Sequence, residues 1–197
     1  MQLLPIRRAI LSVTDKTGLA EFAAFLAESR VELVSTGGTK AKIAEAGLPV
    51  TSVSDVTGFP EILGGRVKTL HPFVHGGVLA DKDNPEHLAT LEEHGIKPFD
   101  MICVNLYDFA KAAAKGLDLK AAVEEIDIGG PTMLRAAAKN FHSILVVPSP
   151  GHYGRIMDEM RANGGKVGLE LRRELAAETF GLVSGYDSMI AKYLASR

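Results

Sequence analysis

The chain has 197 residues, 46% of them hydrophobic, and its 22 Lys and Arg against 24 Asp and Glu leave a formal net charge of −2. That length suits one compact domain with an ample core. The balance excludes general nucleic-acid binding, which draws on a basic surplus, so any basic cluster is local and fits a small anionic ligand.

Cys103 is the one cysteine, so no internal disulfide can form. It lies in the apolar run Met101-Ile102-Cys103-Val104 and reads as a small core hydrophobe rather than a reactive thiol. Arg7 and Arg8 stand near the N-terminus without the apolar stretch of a leader, and no window reaches the roughly 18 apolar residues of a membrane span. The expected setting is the cytoplasm.

Apolar runs at 9–13, 31–35, 49–53, 100–106 and 144–147 predict buried strands. Between them, Leu19, Phe22, Phe25 and Leu26 recur at helical spacing, and further helices are expected at 39–46, 85–94, 107–114, 118–125, 131–140, 151–163 and 168–195. Alternation of strand and helix implies a Rossmann-like α/β fold, an open and mostly parallel sheet with a helical C-terminal part, spanning 1–197 as one domain. Residues 54–80 break the rhythm with seven Gly or Pro residues and no clear period. A long irregular stretch in a compact domain points to function.

Ligands of open parallel sheets bind beyond the carboxyl ends of the strands. Two such ends carry similar chemistry: Ser12-Val13-Thr14-Asp15-Lys16-Thr17-Gly18 and Ser35-Thr36-Gly37-Gly38-Thr39-Lys40. Each offers hydroxyls and opens a helix, whose free N–H groups attract an anion. Neither is a Walker loop or a dinucleotide fingerprint. Taken singly, each also reads as an ordinary helix cap.

Three further segments are more specific. They are Gly65-Arg66-Val67-Lys68-Thr69-Leu70-His71-Pro72 followed by His75-Gly76-Gly77, Asn105-Leu106-Tyr107, and the run from Ile126-Asp127-Ile128-Gly129-Gly130 to Lys139-Asn140. With the two cradles and Val56-Thr57-Gly58-Phe59-Pro60-Glu61, they make the chain resemble, from about Arg8 to Tyr193, the inosine monophosphate (IMP) cyclohydrolase domain of the bifunctional purine-biosynthesis protein, whose other domain is a formyltransferase.

The resemblance implies a methylglyoxal-synthase-like fold and conversion of 5-formamidoimidazole-4-carboxamide ribonucleotide (FAICAR) to IMP and water. It also implies a homodimer and no metal or organic cofactor. It assigns Lys68, Tyr107, Asp127 and Lys139 to the chemistry; the proton that the attacking carboxamide must lose leads us to expect Asp127 and Lys139 as a coupled pair there. For substrate binding it implies Ser12, Thr14, Lys16, Ser35, Thr36, Gly37, Gly38, Thr39, Arg66, Thr69, Asn105, Ile128 and Gly129.

His71 and His75 are four apart, but with Pro72 between them and no helix expected there they are not read as metal ligands. Phe73, Asp108 and Phe141 depart from the usual family residues. Nothing in the chain resembles the formyltransferase domain, so a separate formyltransferase is the expected partner if the gene is split. Two other readings share the cradles: methylglyoxal synthase, which lacks the 66–72 and 126–140 runs, and a non-catalytic nucleotide-binding regulatory domain.

Overall fold

The computed structural model describes residues 2–107, 109, 111 and 116–196. The helix expected at 107–114, and the departure at Asp108, lie largely outside them.

The described chain runs β1 (Leu3–Pro5), β2 (Arg8–Ser12), α1 (Leu19–Glu28), β3 (Glu32–Ser35), α2 (Gly37–Glu45), β4 (Thr51–Ser52) and α3 (Val53–Thr57). A 3₁₀ turn at Leu63–Gly65 precedes α4 (Pro72–Leu79), α5 (Pro85–Glu93), β5 (Met101–Val104), α6 (Leu119–Glu124) and α7 (Gly129–Lys139). Then come β6 (Leu145–Val147), a 3₁₀ turn at Pro150–His152, α8 (Tyr153–Ala162), β7 (Lys166–Gly168) and α9 (Leu169–Ala195).

Five strands form a parallel sheet in the order β4-β3-β2-β5-β6. Their continuous apolar runs suit a sheet covered on both faces: Ile10, Leu11, Ile102 and Val146 are all fully buried. Chain order reverses at β2, which lies between β3 and β5, and the carboxyl ends at such a switch point splay apart into a crevice.

Two features were not legible in the sequence. The first is a small antiparallel ribbon, β1 with β7, that fastens the N-terminus beside the last helix. Arg172 of α9 is fully buried there, and its guanidinium donates to the carbonyls of Gln2, Phe141, His142 and Gly168.

The second is regular structure within the segment 54–80. Ser52 and Asp55 form a reciprocal capping box at the start of α3. His71 Nδ1 accepts from the Phe73 N–H at 3.2 Å to cap α4, with Pro72 in its first turn. The glycines that hide this helix have a packing reason: a Cβ at Gly77 would lie 2.7 Å from the Lys97 carbonyl oxygen. His75 therefore lies on a helix that His71 caps, where none was expected. Among the described residues, however, no group of three or more His, Cys, Asp or Glu side chains is placed to hold a metal ion.

Cys103 is buried as expected, and desolvation pushes its thiol up to about 12. Among the described residues, no helix is long and apolar enough to cross a membrane.

Candidate active site

The crevice at the switch point is a cavity of about 640 Å³. Its floor comes from the end of β2 (Ser12, Val13, Thr14) and the end of β5 (Val104, Asn105). One wall is the start of α2, a second is the loop containing Gly64 to Leu70, and a third is the connector from α6 to α7.

The two cradles converge at one end. Lys16 reaches over the start of α2, so that a Cβ on Gly38 would stand 3.8 Å from its Nζ. Neither α1 nor α2 has a side-chain N-cap. The hydroxyls near these turns therefore do not act as the caps their composition allows. The first turn of α2, whose N–H groups have no partner within the helix, instead borders the cavity beside the Lys16 side chain, an arrangement suited to a phosphate.

The polar residues around this cradle divide by task. Asn105 Oδ1 accepts from the Thr14 and Asp15 N–H groups at 2.6 and 3.0 Å, and its Nδ2 donates to the Asp15 carbonyl. Asn105 thus shapes the first cradle from β5. The Thr39 hydroxyl exchanges hydrogen bonds with both the N–H and the carbonyl of Val13, each at 2.9 Å. Ser35 does not reach the cavity, because its side chain is fully buried and its hydroxyl donates to the Leu11 carbonyl at 2.7 Å. These hydroxyls hold β2, β3 and α2 in register, and Thr39 lines the space itself together with Ser12, Thr36, Gly37 and Gly38.

The same cavity is lined by Arg66, Lys68, Thr69, Tyr107, Asp127, Ile128 and Gly129. Arg66 and Lys68 are paired with carboxylates that the sequence reading missed: Arg66 Nε lies 3.5 Å from Glu124 and Lys68 Nζ lies 3.2 Å from Glu61. Gly65, at φ 95°, leaves room for that pair, since a Cβ there would fall 2.6 Å from Glu61 Oε1. Charge-separated spacing along the chain gives no hint of either contact, because Glu61 and Lys68 meet across the 3₁₀ turn and Glu124 arrives from α6.

Asp127 is half-buried, and its Oδ1 accepts from the Gly130 N–H at 2.8 Å. Burial pushes its carboxyl above the ordinary value, against the opposing pull of the Gly130 N–H, the Lys68 charge and the Gly129 N–H. The glycine pair makes this placement sterically possible. A Cβ on Gly130 would stand 2.3 Å from Asp127 Oδ2, and one on Gly129 would stand 2.8 Å from the Thr69 hydroxyl.

Lys139 is the exception among the residues expected to carry chemistry. It is exposed in the last turn of α7 and is not part of the cavity wall. With 11 residues in that helix and about 1.5 Å of rise for each, it stands some 16 Å along the axis from Asp127. The two side chains do not pair within one copy of the chain.

An open parallel sheet with an anion cradle at its switch point defines a class that the comparisons bear on directly. A family model described as the MGS-like domain matches residues 18–132, and the chain belongs to that family. A second, described as the AICARFT/IMPCHase bienzyme, matches residues 137–197.

The bifunctional purine biosynthesis protein PurH of Rhodospirillum rubrum is 53% identical over 190 residues, covering 96% of this chain and 36% of that protein. PurH of Mesorhizobium japonicum is 51% identical over 193 residues, 98% of this chain and again 36% of its own length. The chain thus spans about a third of the curated relatives it matches. Among solved structures, that of ForH superposes with a TM-score of 0.82 at 33% identity, covering 96% of this chain and 98% of ForH.

Proposed function

We propose that the chain, as one domain, is an IMP cyclohydrolase that closes FAICAR to IMP and water in purine biosynthesis, in the cytoplasm. The observation that carries the reading is one cavity that gathers an anion cradle with Lys68, Tyr107 and Asp127. The relatives named for purine biosynthesis support it.

Ring closure joins the carboxamide nitrogen to the formyl carbon. The nitrogen must lose a proton and the formyl oxygen must be stabilised as it gains negative charge. Both groups already sit on adjacent ring carbons of the substrate, so proximity is largely built in. Asp127, whose burial raises its affinity for a proton, takes the carboxamide proton. Lys68 and Tyr107 face the formyl oxygen and stabilise it, and it leaves as water carrying two protons, one passed on from the carboxamide nitrogen and one given up by the formamide N–H as the ring C=N bond forms. Lys16 and the first turn of α2 hold the 5′-phosphate, with Arg66 and Thr69 beside it.

The phosphate must compete with Glu124 for Arg66, and the formyl oxygen with Glu61 for Lys68. Both carboxylates sit on the wall of the cavity, so each cation is held in place before the substrate arrives. A part for Lys139 in the same chemistry requires the homodimer, with the end of α7 of one copy facing the cavity of the other.

Titration calorimetry with IMP and inosine tests the phosphate assignment. A charge-assisted contact contributes about 1.5–3 kcal/mol, so Lys16→Ala weakens IMP binding on the order of 10- to 100-fold while leaving inosine binding unchanged. Equal loss for both ligands, or none for either, contradicts the placement of the phosphate.

A further inference from the structure

Asp127 sits on the short connector between α6 and α7, residues 125–128, which crosses the cavity wall. The backbone N–H groups of Glu125 and Ile126 turn back onto the end of α6, donating to the carbonyls of Ala122 and Val123. The Asp127 N–H does something different. It donates across 59 residues of sequence to the hydroxyl of Tyr186 on α9, at 2.8 Å. Tyr186 is only 5% exposed, and its ring is set in the packing of α9.

The two hydrogen bonds of Asp127 therefore fix it at both ends: the backbone by Tyr186, the carboxylate by the Gly130 N–H. We propose that Tyr186 is a positioning residue for ring closure, anchoring the connector so that the Asp127 carboxylate stays at the start of α7 and aimed into the cavity. The proposal rests on the assignment of Asp127 as the proton acceptor made above.

Burial raises the phenol above its ordinary value, so the hydroxyl remains protonated where carboxylates titrate and the contact persists through that range. The titratable groups facing this pair among the described residues are Lys68, beside Asp127, and Tyr107 and Asp187, beside the Tyr186 hydroxyl. The N–H groups of Gly129 and Gly130 pull the Asp127 carboxyl down against its burial. A connector freed from Tyr186 lets the carboxylate slip from those donors while it stays desolvated, so its proton affinity rises further.

The test compares the pH profiles of Tyr186→Phe, Asp127→Asn, the double variant and Thr179→Val, each with a melting curve. Thr179→Val deletes another buried hydroxyl of α9, one that among the described residues bonds only to the Leu175 carbonyl of its own helix. Tyr186→Phe is expected to lower kcat on the order of 10- to 100-fold, keep the nucleotide KM within about threefold, and move the acid limb to higher pH. Thr179→Val leaves kcat and the limb unchanged, and Tyr186→Phe adds nothing further in the Asp127→Asn background.

Wild-type kcat and acid limb in a folded Tyr186→Phe, with Asp127→Asn inactive, overturn the positioning role and leave the assignment of Asp127 standing. Matching losses in Tyr186→Phe and Thr179→Val reduce the contact to general packing and also overturn it. Full turnover by Asp127→Asn removes the assignment beneath it.

Discussion

Asp127→Asn lowers turnover on the order of 100- to 10,000-fold, the range expected for loss of a positioned proton acceptor. The substituted amide is nearly isosteric and still accepts from the Gly130 N–H, because Asn serves at a helix start as well as Asp does. Nucleotide binding therefore stays within about tenfold, the mark of a group used in the transition state rather than in the ground state.

Stability separates this outcome from misfolding. The folded carboxyl is raised above its unfolded value, so whatever it contributes is present at low pH and is lost as pH rises through the raised value. At neutral pH the neutral amide is therefore at no disadvantage, and the melting temperature of Asp127→Asn is equal to or above that of the parent. A second reading comes from the pH profile: activity of the parent falls in acid along a limb that lies above the ordinary carboxylate range. The residual rate of the variant lacks that limb. Turnover near the parent level, or a limb unchanged in the variant, assigns the proton transfer elsewhere.

Gly130→Ala produces a comparable loss of turnover by a different route. In an exposed helix the change is favourable by about 1 kcal/mol. Here the new Cβ meets Asp127 Oδ2 at 2.3 Å, Asp127 Cγ at 2.9 Å and Leu106 Cδ2 at 3.0 Å. All three atoms belong to side chains, so the cheapest relief is for the carboxylate to swing away from the start of the helix. That forfeits a cap contact of about 1 kcal/mol, which offsets the propensity gain. The expected result is a folded protein within about 1 kcal/mol of the parent with turnover reduced on the order of 100-fold or more. Chemical denaturation and steady-state kinetics on the same preparation check both halves. A variant that keeps its turnover shows that the carboxylate need not occupy the position it has at the start of α7.

The alternating apolar runs were enough to read the parallel sheet and its crossover helices, because strands buried on both faces carry a continuous signal. The ribbon of β1 and β7 escaped notice since three-residue strands show no period, and its partners are separated by most of the chain. Helix α4 was hidden by Gly76 and Gly77, whose absent side chains record the close approach of Ile96 to the first and of Lys97 and Phe99 to the second rather than a break in the helix.

The site divides in the same way. Both phosphate cradles were visible as hydroxyls and glycines at strand ends, and the Gly129-Gly130 pair was visible within the run that opens at Ile126. That this pair clears space for a carboxylate and a threonine depends on distances that spacing does not encode. Ser35 looked alike in the sequence with the hydroxyls that line the cavity, yet it is buried and serves the backbone of β2. Tyr186 had no local signal, as a tyrosine on the buried face of a long helix looks like core. The pairing of Asp127 with Lys139 followed from the proton transfer that ring closure needs, and α7 separates the two within one chain.

The most direct test of ring closure is to supply purified protein with FAICAR, with no added metal or folate, and follow IMP by ultraviolet absorbance and chromatography. The account predicts stoichiometric conversion to IMP that vanishes with Asp127→Asn. Tight binding of IMP with no conversion of FAICAR by the parent protein would contradict it, and would make the cavity a nucleotide-binding site without catalysis.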